Sequence, residues 1–298
     1  MNNVIVCNQL TKVYKDKTAL DSIDLNLGEN KLIGLIGRNG AGKTTFLKTC
    51  AGYLKPTSGS INILGGNPFD NLDVLSNVTF IDEEIQYDES LSLNDILTLG
   101  KAFYQNWDSV YADKLIRYFN LDGKKKYRKL SRGMKTQFNI IMGLSCRAPL
   151  TLMDEPTLGL DVAVRKEFYN ILIKDYMENP RTLIISSHLM SELENLLEEM
   201  VLIHDGRIVF HKSIEDLQGY GLILNGKKEI IHPFIANKKV LKTETFGSSL
   251  IAGIENNLTK DDLNYLNENN VDISKASIED VYIWLTNNRK AGGFDDFK

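Results

Sequence analysis

Residues Gly37–Thr44 have the composition and spacing that hold a phosphate group. They read Gly-Arg-Asn-Gly-Ala-Gly-Lys-Thr and match G-x-x-x-x-G-K-[ST] at every fixed position. Glycines let successive backbone N–H groups turn inward around an anion, and a following helix directs its positive end at the same anion. We expect Lys43 to reach the β- and γ-phosphate oxygens and the Thr44 hydroxyl to coordinate Mg²⁺. The loop predicts nucleotide binding but does not separate kinases, GTPases, helicases and transport ATPases.

Two adjacent carboxylates form the second chemical feature. Asp154 and Glu155 end the apolar run Leu150–Met153. In P-loop ATPases such a strand lies beside the phosphate loop, and its terminal Asp holds the Mg²⁺ shell. Glu155 is then placed to take a proton from the attacking water or to orient it, a role worth about 10²–10⁴-fold in rate.

The elements that must position these groups follow an α/β order. An apolar strand at 31–37, the loop and a helix at 44–52 form the opening of a nucleotide-binding unit. Buried strands are predicted at 150–154 and 182–186, with a helix at 164–177 between them. The remaining predicted elements are two or three short strands in the first ~30 residues, helical segments over 93–119 and 131–146, a hairpin of 200–204 and 207–211 around Asp205-Gly206, and a last helix at 278–285.

The composition argues against several classes of function. The formal net charge of -4 gives no electrostatic case for nucleic-acid binding. No apolar stretch approaches the ~20 residues that cross a bilayer, and the N-terminus lacks the apolar region of a signal peptide. Cys7, Cys50 and Cys146 are scattered, which indicates buried thiols in a reducing compartment. We therefore expect a protein that stays inside the cell.

The residues after Glu155 identify a family resemblance. Met153–Asp161, MDEPTLGLD, resembles the joined Walker B motif and D-loop of ABC ATPases, and Leu130–Met134, LSRGM, resembles their signature motif, usually LSGGQ. The order of P-loop, helical insert, signature and Walker B is also that of the family. His188 matches the family's switch histidine, and Tyr14 matches the aromatic residue that stacks on adenine. The resemblance covers about residues 3–213.

The resemblance implies a site shared between two subunits. Ser131 and Gly133 would direct the start of a helix at the γ-phosphate of ATP bound on the other subunit. His188 would sense that phosphate, and Asp161 would lie at the dimer interface. Glu155, His188 and Lys43 are then the expected catalytic residues. The dimer would be a homodimer or a heterodimer with a paralogous ATPase. The expected nucleotide-binding residues, including those of the loop, are Tyr14, Gly37, Asn39, Gly40, Ala41, Gly42, Lys43, Thr44, Thr45, Ser131, Gly133 and Asp161.

The sequence departs from the family pattern at two places. The signature has Arg132 where most members have Gly and Met134 where many have Gln. Most members also place a Mg²⁺-binding Gln after the strand at 77–82. Aligning that strand puts Glu83 at this position, and Gln86 serves instead if the loop is longer. We assign Glu83, with Thr44 and Asp154, as the expected Mg²⁺ ligands, since a carboxylate can bind that ion.

The expected fold is an α/β P-loop NTPase of the ABC ATPase type. It has an N-terminal antiparallel β-subdomain and a helical subdomain over about 86–148. We expect residues 1–215 to form the ATP-binding domain and residues 216–298 a small α+β accessory domain.

The expected function is that of an ATP-hydrolysing subunit on the cytoplasmic face of the membrane, held there by an integral-membrane transporter subunit. The segment Ser131–Lys135, with Phe103-Tyr104 and Trp107-Asp108 in the helical insert, resembles Gram-positive bacterial exporters linked to antimicrobial or cytolytic peptides and to bacitracin- or lantibiotic-type resistance. A non-transport ABC ATPase acting on ribosomes or DNA is the alternative. A P-loop kinase is disfavoured by the signature motif. The basic run Lys124–Lys129 is either a solvated loop or a local field that draws ATP towards the signature.

Overall fold

The computed structural model describes residues 3–82, 85, 87–188 and 190–286. The strands are β1 (Asn3–Tyr14), β2 (Lys17–Gly28), β3 (Leu32–Ile36), β4 (Ser58–Ile63), β5 (Val78–Ile81), β6 (Leu150–Asp154), β7 (Thr182–Ser187), β8 (Glu199–His204), β9 (Arg207–Ser213), β10 (Gly221–Lys227), β11 (Val240–Phe246), β12 (Ser249–Glu255) and β13 (Asp272–Lys275). The helices are α1 (Lys43–Cys50), α2 (Leu72–Leu75), α3 (Leu93–Phe103), α4 (Ser109–Tyr118), α5 (Arg132–Ser145), α6 (Val162–Glu178), α7 (Met190–Leu193), α8 (Ile214–Gln218), α9 (Lys228–Phe234), α10 (Lys260–Glu268) and α11 (Ile278–Thr286).

The described residues divide into two compact units. The first contains residues 3–188 and 195–211, and the second contains residues 190–194 and 212–286. Among the described residues, no helix combines the length and the apolar character needed to cross a membrane.

A six-stranded sheet forms the centre of the first unit, in the order β5-β6-β7-β3-β8-β9. The pairs β5/β6, β6/β7, β7/β3 and β3/β8 are parallel. Every residue of β3, β5, β6 and β7 is buried, as expected of parallel strands covered on both faces. The carboxyl ends of β3, β6 and β7 therefore meet at one edge of the sheet. The predicted buried strands and the α/β order are confirmed.

A second sheet, antiparallel and ordered β2-β1-β4, is built largely from the first 28 residues. The predicted number of two or three strands is confirmed, but the prediction that they are short is wrong, because β1 and β2 have 12 residues each. Register shifts between Cys7 and Leu10 interrupt the ladder, and Gln9 has φ +48°. Such bulges break the alternation of apolar and polar residues, so one long strand has the pattern of two short ones.

The α-helices α3, α4 and α5 lie between β5 and β6. Ser92 begins α3 with a capping box to Asp95, and Asp108 accepts a 2.8 Å hydrogen bond from the Tyr111 amide at the start of α4. The predicted helical character of residues 93–119 is confirmed, with a break between the two helices. The first turns of α5 are partly exposed, whereas the residues from Phe138 to Ser145 are buried.

The second unit contains an antiparallel sheet ordered β11-β12-β10-β13. Its core is formed by apolar side chains from β10 and β12, including Leu224 and Ala252, and from α9 and α10, including Ile231 and Leu266. The helix expected at 278–285 is present as α11.

Candidate nucleotide site

The glycine-rich loop lies between the buried strand β3 and helix α1. Gly42 has φ +114°, and a Cβ atom there would lie 2.6 Å from the Ala19 carbonyl oxygen. Only glycine meets both conditions. The Gly206 amide, in the turn between β8 and β9, donates a 2.9 Å hydrogen bond to the Ala41 carbonyl. Asn39, Gly40 and Thr44 are exposed, so this side of the loop is open to a ligand.

Lys43 is buried at the start of α1, with 6% of its surface exposed. Its Nζ donates a 2.7 Å hydrogen bond to the Gly37 carbonyl. The ammonium group lies 3.3 Å from Oε1 of Glu155. A buried cation is stable only with such partners. The predicted phosphate-binding lysine and the predicted catalytic carboxylate therefore contact each other.

Asp154 and Glu155 end β6, where the sheet places them beside the end of β7. Asp154 is 7% exposed and is the register partner of Ser186. The Ser186 hydroxyl donates a 2.5 Å hydrogen bond to Oδ1 of Asp154 and accepts a 3.0 Å hydrogen bond from the Glu155 amide. The Ser186 hydroxyl is thus hydrogen-bonded to both acidic residues.

Glu155 lies between Lys43 and His188. Its Oε2 is 2.9 Å from Nδ1 of His188, on the far side of the carboxylate from Lys43. Glu155 has φ +47°, a left-handed conformation that is rare outside glycine and typical of functional sites. The structure therefore brings together all three residues that the sequence analysis placed in catalysis.

The signature segment forms the start of α5. Ser131 is the exposed N-cap of this 14-residue helix, and its hydroxyl accepts a 3.3 Å hydrogen bond from the Met134 amide. A Cβ atom at Gly133 would lie 3.8 Å from the Gly159 carbonyl oxygen. The signature is thus exposed on one side and lies beside residues 157–161 of the same chain on the other.

Two further candidate residues have contacts of their own. Oδ1 of Asp161 accepts hydrogen bonds from the Ala163 and Val164 amides at 2.9 and 3.0 Å, so this residue caps α6. Tyr14, 43% exposed at the end of β1, has Nζ of Lys12 5.3 Å from its ring centroid. The interface role of Asp161 and the adenine role of Tyr14 stay predictions.

Glu83 and its alternative Gln86 lie outside the described residues, so the choice between them stays open. The preceding Asp82 is described. Its carboxylate lies 3.5 Å from Nζ of Lys48 on α1, and its carbonyl accepts a 3.4 Å hydrogen bond from Nδ2 of Asn139 on α5. The end of β5 therefore contacts both α1 and α5.

The donor set near the loop suits Mg²⁺. Among the described residues, no group of three or more His, Cys, Asp or Glu side chains is arranged to hold a metal. Mg²⁺ usually binds one or two carboxylates and completes its shell with phosphates and water. Asp154 has the carboxylate for this role, and the exposed Thr44 has a hydroxyl group at the end of the phosphate loop. The residues fit a Mg²⁺ ion held together with a nucleotide.

The sequence analysis missed Ser186. The available signal was a pair of polar residues, Ser186 and Ser187, that ends an apolar strand immediately before His188. A strand expected beside β6 and carrying hydroxyl groups at its carboxyl end is a candidate support for the carboxylates there.

Comparison with known proteins identifies the family of the chain. The model of the ABC transporter family matches residues 20–158. The chain is 32% identical over 226 residues to the uncharacterized ABC transporter ATP-binding protein YcbN of Bacillus subtilis strain 168, covering 74% of this chain and 72% of that protein. It is 32% identical over 212 residues to the bacitracin transport ATP-binding protein BcrA of Bacillus licheniformis, covering 70% and 69%.

A solved structure supports the fold. The structure described as the ATP-binding subunit of an ABC transporter aligns with a TM-score of 0.65 at 24% identity, over 72% of this chain and 92% of that one. In this chain the phosphate loop follows β3, the paired carboxylates end β6, and the signature segment begins α5. The chain therefore belongs to the ABC transporter family, as an ATP-binding protein that couples ATP hydrolysis to transport.

Proposed function

We propose that two copies of this chain, or one copy and a paralogue, bind ATP between the loop of one subunit and the signature of the other. Lys43 and the loop amides hold the phosphates, and the exposed start of α5 at Ser131 and Gly133 faces the γ-phosphate of the second subunit's ATP. Tyr14 stacks on the adenine, and Asp161 lies near the dimer interface. Thr44, Asp154 and Glu83 hold Mg²⁺, which neutralises phosphate charge when bound.

The observation that carries this proposal is the position of Glu155 between Lys43 and His188. Lys43 turns from Glu155 to the phosphates when ATP is bound, because phosphate oxygens offer it more negative charge than one carboxylate. Glu155 is then free to accept a proton from the attacking water, and His188 holds its second oxygen in place. Binding and chemistry are thus coupled through one lysine.

Two variants test the shared site. Glu155→Gln is expected to bind ATP at least as tightly, because Lys43 has no ion pair to leave, and to lose turnover by at least about 10²-fold. It is also expected to accumulate as a dimer with ATP, measured by light scattering. Adding Ser131→Arg is expected to abolish that dimer, because a bulky side chain blocks the start of α5. Normal turnover by Glu155→Gln contradicts the catalytic assignment, and an ATP-dependent dimer that persists with Ser131→Arg contradicts the shared site.

We further propose that residues 1–215 are the ATP-binding domain and residues 216–298 an accessory domain. An integral-membrane subunit holds the dimer at the cytoplasmic face and exports peptides or antimicrobial compounds. The similarity to a bacitracin transport protein supports this cargo class. In a sensitive host that expresses the chain with its membrane subunit, resistance to bacitracin-type peptides is expected to rise. The Glu155→Gln variant is expected to give no protection. Equal protection by both forms contradicts ATP-driven export.

A further inference from the structure

Arg132, the residue that replaces the usual glycine of the signature, lies against the D-loop of its own chain. A Cβ atom built at Gly159 would lie 3.2 Å from Nε of Arg132 and 3.5 Å from its Cδ. Gly159 has φ +82°, so the backbone here is already in a conformation that favours glycine. The arginine side chain therefore covers Gly159, a contact that a glycine at position 132 cannot make.

The segment from Glu155 to Leu160 is internally braced. The Leu158 amide donates a 3.0 Å hydrogen bond to the Glu155 carbonyl, and the Leu160 amide donates a 3.1 Å hydrogen bond to the Thr157 carbonyl. Nη2 of Arg165 donates a 3.3 Å hydrogen bond to the Leu160 carbonyl. Thr157 and Leu160 are buried. These hydrogen bonds connect Leu158 and Leu160, the neighbours of Gly159 in the chain, to Glu155 and Thr157.

A cavity leaves room for such a displacement. It has a volume of about 210 Å³ and is lined by Arg132, Lys135 and Asn139 on α5 and by Glu155 and Leu158 on the D-loop side. The start of α5 and the catalytic segment are thus separated there by open space. Glu155 and Leu158 line the cavity, whereas Gly159, the residue next to Arg132, does not.

We propose that Arg132 is a positioning residue that couples the signature to Glu155 within one chain. This inference rests on the proposed function, because the γ-phosphate of a second subunit's ATP is what engages Ser131. When the start of α5 moves on that engagement, the Arg132 side chain moves Gly159, and the braced segment sets the final position of Glu155. Each subunit then hydrolyses its own ATP efficiently only after its signature is occupied.

The first test compares three substitutions at position 132. Arg132→Gly is expected to lower kcat about tenfold with KM for ATP unchanged, since small misplacements of catalytic groups have large effects on rate. Arg132→Gln keeps the Cγ and Cδ atoms without the charge, and Arg132→Lys keeps the charge and the stem. Both are expected to recover most of kcat. A direct phosphate contact instead predicts a raised KM that Lys restores and Gln does not, and this result overturns the proposal.

The second test is a double-mutant cycle with Gly159→Ala. The added methyl group displaces Arg132, so the alanine lowers kcat both through backbone strain and through the arginine. In the Arg132→Gly background only the strain remains, and the two effects on kcat are expected to combine less than multiplicatively. Multiplicative effects show that the two residues act independently and overturn the proposal. Circular dichroism and thermal melting of each variant control for folding.

The Glu155→Gln and Arg132→Gly variants together separate the coupling role of Arg132 from the shared site. If Glu155→Gln loses turnover while Arg132→Gly matches the unmutated protein in kcat and KM, the shared site stands and the coupling role is wrong. If Glu155→Gln hydrolyses ATP normally, the proposed chemistry itself is wrong.

Discussion

Ser186 and Asp154 face each other across the parallel pair β6/β7, and the Ser186 hydroxyl donates a 2.5 Å hydrogen bond to Oδ1 of Asp154. The same hydroxyl accepts a hydrogen bond from the Glu155 amide. Because Glu155 holds a left-handed backbone conformation, a bond to its amide stabilises a geometry that the isolated segment would not favour. Ser186 thus connects the proposed Mg²⁺ ligand and the proposed catalytic base.

Replacing Ser186 by alanine is expected to lower kcat about tenfold and to cost about 1–3 kcal/mol of stability. The substitution leaves the Glu155 amide and a buried oxygen of Asp154 without their partner. Thr151→Val is a matched control, since the Thr151 hydroxyl is buried on β6 without a hydrogen bond, and this variant is expected to keep both activity and stability. Steady-state kinetics and urea unfolding measure the two effects. Equal behaviour of the two variants would remove Ser186 from the site.

Replacing Tyr14 by alanine is expected to weaken ATP binding without changing kcat at saturation. Stacking of a base on an aromatic ring contributes about 1–3 kcal/mol, which corresponds to roughly 5–150-fold in Kd. Tyr14→Phe keeps the ring and is expected to bind ATP normally. Fluorescence titration with a labelled ATP analogue measures the affinities. Unchanged binding by Tyr14→Ala would show that Tyr14 is only a partly exposed strand residue.

Replacing the buried Asp175 is expected to lower the free energy of unfolding strongly. Its side chain is fully buried and pairs with Arg147 and, at 2.7 Å, with Arg181. Asp175→Asn leaves two guanidinium groups without their shared counter-charge, and breaking a buried ion pair typically costs about 3–5 kcal/mol.

Asp108→Asn is the matched control for that variant. Asp108 also pairs with Arg147, at 3.2 Å, but its side chain is 35% exposed. Because the asparagine of this variant can still cap α4, the expected loss of unfolding free energy is less than about 1 kcal/mol. Equal losses of unfolding free energy in urea would contradict the role assigned to burial.

The cysteines are expected to be unreactive in the folded protein. Burial, and secondarily the nearby Asp24, raises the pKa of Cys7 to about 12, and burial raises the pKa of Cys146 to about 12. Burial also raises the pKa of Cys50 well above its ordinary value. Because the thiolate is the reactive form, labelling by a disulfide reagent should stay slow from pH 7 to pH 10. All three thiols should react in guanidinium chloride, and rapid labelling of the folded protein would contradict their burial.

The sequence by itself determined the fold class and predicted the main residues of the candidate site. Gly37–Thr44, Met153–Asp161 and Leu130–Met134 are contiguous segments whose residue types carry their chemistry, so they are recognisable without coordinates. The buried strands were predictable for a related reason, because parallel strands covered on both faces consist of continuous apolar runs. The lengths of β1 and β2 were not predictable, because bulges interrupt the alternation of apolar and polar residues along these strands.

The tertiary structure decided which distant side chains meet. Ser186 reaches Asp154 because β6 and β7 pair in one particular register, and a shift of that register would turn the serine away. Arg132 covers Gly159 because the start of α5 packs beside the D-loop, and Glu155 lies between Lys43 and His188 because three strand ends converge. Local patterns record what each segment favours by itself. Contacts between segments depend on how all of them pack together, which no single segment specifies.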